Sequence, residues 1–366
     1  MREMEQRLQE VLRQIAPADE MAVAAARERQ QHLAKPPGSL GELEEISVRL
    51  SGVTGKVNNR VEKTRIYVLA ADNGVVEEGV SSAPQSVTLS QTINLTRGVT
   101  GASALAAYFG DELMVVDVGV NARINCPAVL DRKIAMGTKN LAREPAMTRQ
   151  QCLQALLAGV ELSRQAKQDG VELLGVGEMG IGNTTTSAAV LSVLLGLPAQ
   201  EVTGRGGGIT QESFARKKSI IDRAIQMLQP DPADPVDILS KVGGFDLAAM
   251  CGVFLGAAQN HIPVVIDGFI SVVAALCAVR LQKNAGDYMF PSHASFEPGY
   301  SLAIQELGLK PYLQLQMRLG EGSGCPIAFR VIQAAAAAMN RMATFEEAAI
   351  NDDYLDEIRK KDSFSV

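Results

Sequence analysis

The feature that most constrains this chain is an alternation in its middle two-thirds. Short, nearly unbroken apolar runs end in small or acidic residues, and segments of helical length separate them. The runs fall at 66–72, 113–119, 171–177, 264–268 and 313–319, with helical segments at 149–168, 185–195 and 246–259. Strands that are apolar on both faces must be covered on both faces. Strand–helix alternation therefore predicts an α/β fold with a parallel, doubly wound sheet. Ligands bind such sheets outside the carboxyl ends of the strands, so the residues that follow each run are the candidate site.

The ends of the chain read differently. Met4, Leu8, Val11, Leu12 and Ile15 recur at helical spacing before Pro17. A second helix is expected over 21–33, stopping at Lys35-Pro36-Pro37-Gly38. A third is expected from Ser39, with Glu42 as its capping-box partner. A C-terminal helix is expected from 327, through the alanines at 334–338, to about 360. These segments predict a small helical domain built from both termini (1–60 plus 330–366) and a large α/β domain (61–329).

Composition removes several function classes. With 35 basic against 41 acidic residues, a net of −6, the chain lacks the basic face of a nucleic-acid binder. It has no Trp and only 4% aromatics, so it also lacks base-stacking platforms. No apolar run reaches the roughly 18 residues of a membrane span, and the charged N-terminus does not resemble a signal peptide. Cys126, Cys152, Cys251, Cys277 and Cys325 are scattered, and there are three histidines, so no metal site is expected. A cytoplasmic protein with free thiols is the expectation.

Three glycine-rich stretches follow expected strands. Gly175 to Thr186 matches the dinucleotide pattern GxGxxG formally, with Glu201 about 20 residues on. That keeps an NAD-dependent oxidoreductase open. Against it, Glu178 sits inside the turn, where its carboxylate would face a pyrophosphate. Asn183, Thr184, Thr185 and Thr186 supply side-chain polar groups at a helix start, which suits one phosphate or a ribose. A tight turn with no ligand is the bland alternative. The second stretch, Thr203 to Gly208, exposes backbone N–H groups, and Lys217 on the following helix adds charge to an anion site. The third, Arg318 to Gly324, carries Glu321 between glycines, where an acid has no packing role; a catalytic carboxylate is favoured over a solvated surface Glu. Ser292, His293 and Ser295 form a further polar cluster, without a Ser-His-Asp pattern.

Together these stretches resemble the nicotinate-nucleotide–dimethylbenzimidazole phosphoribosyltransferases of cobamide assembly. The resemblance runs from KPPGSLG (35–41) almost to residue 350. It includes ADNGVVEEGVSSAPQSVT (71–88), TRGVTG (96–101), GVGEMGIGNTTT (175–186), SKVGGFD (240–246), VIDGF (265–269), PSHAS (291–295) and MRLGEGSG (317–324). It implies a Rossmann-like large domain, a small helical domain, and a homodimer or a heterodimer with a paralogue. The implied substrates are nicotinate mononucleotide and an aromatic base, with no cofactor. By the same resemblance, Glu321 is the general base. Glu178, Gly180, Asn183, Thr184, Gly204, Gly206, Lys217, Ser292 and Ser295 surround the ribose and phosphate, and Ala83, Gln91, Met179 and Leu319 line the base pocket. Two positions depart from the family: Asn73 replaces a His, and Ala83 stands where a relative has Ser. They leave the acceptor open among benzimidazoles, purines and phenols. A non-catalytic partner subunit of an active paralogue would be expected to have lost its base, and Glu321 is intact.

Overall fold

The computed structural model describes residues 1–355. Six strands, β1 (Thr64–Ala71), β2 (Glu112–Gly119), β3 (Val129–Asp131), β4 (Leu173–Met179), β5 (Val264–Ile266) and β6 (Met289–Pro291), form one sheet. Their order is β3-β2-β1-β4-β5-β6, and every pairing is parallel. This is the doubly wound arrangement expected from the alternation and the Rossmann-like one implied by the resemblance. The strand order reverses between β1 and β4, where Leu69 pairs with Glu178 and Ala70 with Met179. Connections leave that point in opposite directions and open a crevice.

The sheet needs helices on both faces, and local sequence builds them. Thr148 caps the helix Arg149–Gln168 by accepting the Gln151 N–H, while the Gln151 side chain accepts the Thr148 N–H. That helix packs on Phe245–Gln259 with almost no side chain between the two backbones. A Cβ at Gly159 would overlap the Ala249 carbonyl oxygen, and one at Gly252 would overlap that of Leu156. Every residue of β1 is buried, as strands covered on both faces require.

Contacts divide the described residues into two compact units: 1–16 with 63–328, and 17–62 with those from Phe329 on. The first helix, Arg2–Gln14, therefore packs into the α/β unit instead of joining the helical one. Glu5 pairs with Arg149 at 3.1 Å, and Gln282 donates to the Leu12 carbonyl at 2.8 Å. In the helical unit, Ala26, Val48 and Met339 meet in a small core.

Three sequence expectations are corrected. The run 313–319 is not a strand: it makes a single bridge, Leu313 with His293, and Met289–Pro291 is the last strand. Its alternating Leu-Gln pattern leaves Leu315 and Leu319 exposed instead of forming a ladder. The expected Ser39–Glu42 capping box is not formed. Gly41 is the N-cap, and Glu44 takes the Leu40 N–H (2.9 Å) and pairs with Lys35 (2.8 Å). The C-terminal helix is Cys325–Arg341 and turns follow it; the part expected over 356–360 lies outside the described residues.

Candidate active site

A cavity of about 290 Å³ opens at the carboxyl ends of the central strands. Its walls come from the segments after β1 (80–91), β4 (178–184), β5 (267–271) and β6 (293–297), with 205–209 and 318–321 closing the rim. Of the residues expected at the site, Ala83, Gln91, Glu178, Met179, Gly180, Asn183, Thr184, Gly206, Ser295, Leu319 and Glu321 line this space. Gly204, Lys217 and Ser292 stand behind the lining.

Glu321 is the most constrained of them. Gly320, Glu321 and Gly322 all have left-handed backbone, at φ +83°, +62° and +83°. For a Glu that conformation costs on the order of 1–3 kcal/mol and persists only where its surroundings enforce it. The loop lies directly on β4, because a Cβ at Gly177 would come within 2.5 Å of the Gly322 nitrogen. The Glu321 side chain is 5% exposed, and its Oε2 accepts the Ala102 N–H at 3.2 Å. Ala102 is the second residue of the helix Gly101–Phe109, so the carboxylate sits at a helix N-terminus, where partial positive charge favours the anion.

Glu178 lies behind Glu321 and accepts its backbone N–H at 3.3 Å. The Asn183 amide reaches both Glu178 and Asp246, the latter at 3.0 Å. Burial pushes Glu178 up to about 8, with Asp246 and Asp267 adding to the shift. Burial likewise raises Asp246 to about 6 and Asp267 to about 7. Burial thus favours the neutral form of Glu178, while its two oxygens accept the Asn183 amide and the Glu321 N–H. Asp246 and Asp267 are acids that sequence reasoning missed. They sit in the GGFD and VIDGF stretches, but an acid at a strand or helix end gives no sign of which distant group it will meet.

Lys217 is buried, and its Nζ donates to Thr184 Oγ1 (2.8 Å) and to the Gly204 carbonyl (3.2 Å). Burial lowers it to about 8, and Glu297 counteracts part of that shift. Glu297 accepts the Gly206 N–H at 3.0 Å, so a carboxylate occupies one donor of the glycine loop. Burial is also the main cause that raises Glu297. Ser292 donates to the Asp267 carbonyl and touches His293 Nδ1, both at 3.0 Å. Burial depresses His293 to about 4, which keeps its ring neutral at pH 7.

Ala83, Gln91, Met179 and Leu319 also line the cavity. Gln91 Oε1 accepts from Asn94 at 2.9 Å. Ser81 and Ser82 line the cavity beside Ala83, so two hydroxyls remain close to the position where a relative carries Ser. Asn73 is fully buried and interacts with Asp246; it lies outside the lining.

Sheet order, a cavity at the reversal point and one glycine-flanked carboxylate define a Rossmann-like α/β enzyme. Residues 15–350 match the family model described as Phosphoribosyltransferase. The nicotinate-nucleotide–dimethylbenzimidazole phosphoribosyltransferase of Clostridium perfringens (strain ATCC 13124) is 53% identical over 98% of this chain and 99% of its own. That of Clostridium tetani is 46% identical over 97% and 98%. The crystal structure of the enzyme of that name from Thermus thermophilus superposes with a TM-score of 0.86 at 40% identity, covering 91% of this chain and 99% of that one. The chain belongs to the nicotinate-nucleotide–dimethylbenzimidazole phosphoribosyltransferase family.

Proposed function

We propose that the chain transfers the phosphoribosyl group of nicotinate mononucleotide to the lower-ligand base of a cobamide, 5,6-dimethylbenzimidazole by default, with Glu321 as general base. The observation that carries this reading is the Glu321 carboxylate, fixed at the cavity wall by the Ala102 N–H. The donor's pyridinium nitrogen is already cationic and leaves without an acid. A neutral benzimidazole must lose its N–H proton as its other ring nitrogen attacks C1′. The new C1′–N bond forms as the bond to nicotinate breaks, and the proton goes to Glu321. Such a base contributes roughly 10²–10⁴-fold. Attack from the face opposite the leaving group inverts the β-glycoside to an α-riboside phosphate.

The family resemblance supports the remaining roles. Glu178 and Asn183 face the ribose. Lys217, Thr184 and the Gly204–Gly206 turn, with Gly180, Ser292 and Ser295 nearby, surround the phosphate. Ala83, Gln91, Met179 and Leu319 contact the acceptor. Holding both reactants in one cavity supplies much of the remaining rate. The family match supports this reading over an NAD-dependent oxidoreductase. A cytoplasmic location agrees with five free cysteines, and a homodimer or paralogous heterodimer agrees with the family resemblance.

The test is direct. Nicotinate mononucleotide and dimethylbenzimidazole are incubated with the protein, and nicotinate and the α-riboside phosphate are followed by chromatography. Equal release of both is expected. No product, together with tight NADH binding by calorimetry, would reverse the assignment.

A further inference from the structure

The Glu321 loop has no ladder of its own to hold three consecutive left-handed residues, so something outside it must fix the carboxylate. Besides the Ala102 and Glu178 contacts to Glu321 itself, Asp267, 55 positions before Gly322 and 1% exposed, holds the backbone that follows it. Asp267 Oδ2 accepts the Gly322 N–H at 3.0 Å, and Oδ1 accepts the Gly324 N–H at 2.7 Å. The two bonds bracket Ser323 and begin one residue after Glu321. Gly324 also opens the 17-residue helix Cys325–Arg341, so the same carboxylate meets that helix's positive end.

Asp267 is itself anchored to three strands. It follows β5 directly, and its N–H donates to Ser271 Oγ at 3.1 Å. That hydroxyl donates to the Val176 carbonyl on β4, also at 3.1 Å. From the end of β6, Ser292 donates to the Asp267 carbonyl at 3.0 Å. The packing leaves no slack, since a Cβ at Gly324 would overlap His293 Nδ1 and lie 2.8 Å from Asp267 Oδ1. A rigid path thus runs from the sheet edge through one carboxylate to the backbone beside Glu321.

We propose that Asp267 is a positioning residue that fixes Glu321 for proton abstraction by clamping the N–H groups of Gly322 and Gly324. The inference rests on Glu321 being the base. A misplacement of about 1 Å costs on the order of 10²-fold in rate. Asp267→Asn keeps the size but presents an NH₂ to one of two N–H groups, so the clamp opens on one side.

The experiment is a double-mutant cycle on the full chain with dimethylbenzimidazole as acceptor. Asp267→Asn alone is expected to lower kcat roughly 10- to 100-fold while both KM values stay within about threefold. In a Glu321→Gln background the same substitution is expected to cost no more than about twofold, because the group it positions is already disabled. Equal losses in both backgrounds, or a loss carried mainly by KM for nicotinate mononucleotide, would overturn the inference while leaving the base assignment standing. Near-normal turnover by Glu321→Gln alone would remove both. Should Asp267→Asn not fold, amide hydrogen exchange on the native protein decides. Gly322 and Gly324 are expected to be protected at least about 100-fold, and exchange at unprotected rates rules the clamp out.

Discussion

Glu178 Oε1 accepts the backbone N–H of Glu321 at 3.3 Å, so these two of the cavity's acids are joined through the main chain, while the Glu321 carboxylate meets the Ala102 N–H. This separates a buried acid, raised to about 8, from the carboxylate assigned to take the proton. The expected consequences fall on different measurements.

Glu321→Gln keeps the shape and the acceptor for the Ala102 N–H but cannot accept a proton. It should lower kcat roughly 10²-fold or more, with KM changed by no more than a few-fold. Because a phenol is more acidic than a benzimidazole, its turnover should fall less. Steady-state rates with dimethylbenzimidazole and p-cresol check both points.

Lys217 and Glu297 should shift donor affinity in opposite directions. Lys217→Ala removes the cation beneath Thr184 and should raise KM for nicotinate mononucleotide far more than KM for the base. Glu297→Gln removes a negative charge beside the Gly206 N–H, though its amide oxygen can still accept that bond, and should lower KM for nicotinate mononucleotide. An increase in donor KM for Glu297→Gln would show that this acid supports the loop instead of competing with the phosphate.

Stability should fall as pH rises from 6.5 to 8. Asp267 and Glu178 have folded-state values raised to about 7 and about 8, so the folded chain binds more protons than the unfolded one across this window. Their contribution is complete at low pH and is lost as pH passes those values. His293, lowered to about 4, works in the opposite sense but only below about 6.5, where an unfolded His holds its proton. Lys217, lowered to about 8, opposes the trend mainly above pH 8. Tm measured across pH 6.5–8 should decline, and Glu178→Gln should flatten the upper part of the decline.

Acceptor range should respond to residue 83. With Ala83 the wall has one fewer hydroxyl than with Ser, though Ser81 and Ser82 remain. Phenol and p-cresol are expected to be accepted beside dimethylbenzimidazole, and Ala83→Ser should lower the kcat/KM ratio of phenol to benzimidazole. Absence of any phenolic riboside would refute this.

What can be seen in the sequence is set by length and by chain distance. β1, β2 and β4 are seven or eight residues long and apolar on both faces, enough to stand out. β3, β5 and β6 have three residues each, too few for any period to show; β5 is legible only because its apolar run ends in Asp267-Gly268, and the more regular run at 313–319 draws the assignment away from β6. Glu321 is visible because glycines flank an acid there for no packing reason. Asp267 is not, because its role depends on two amides more than 50 residues away. Gly101 and Ala102 stand in or beside a recognisable stretch, yet nothing in it tells that a helix start would face Glu321.

The cavity draws its walls from separate pieces of chain. Two of the four residues proposed to meet the acceptor, Ala83 and Gln91, lie between β1 and β2, whereas the Gly204–Gly206 turn and Lys217 come after β4. Substitutions in one short surface stretch can therefore retune which aromatic ring is accepted while the donor grip is inherited intact. Lineages meeting different bases could diverge by drift within a dozen positions, and grafting residues 80–91 between family members should carry acceptor preference with it.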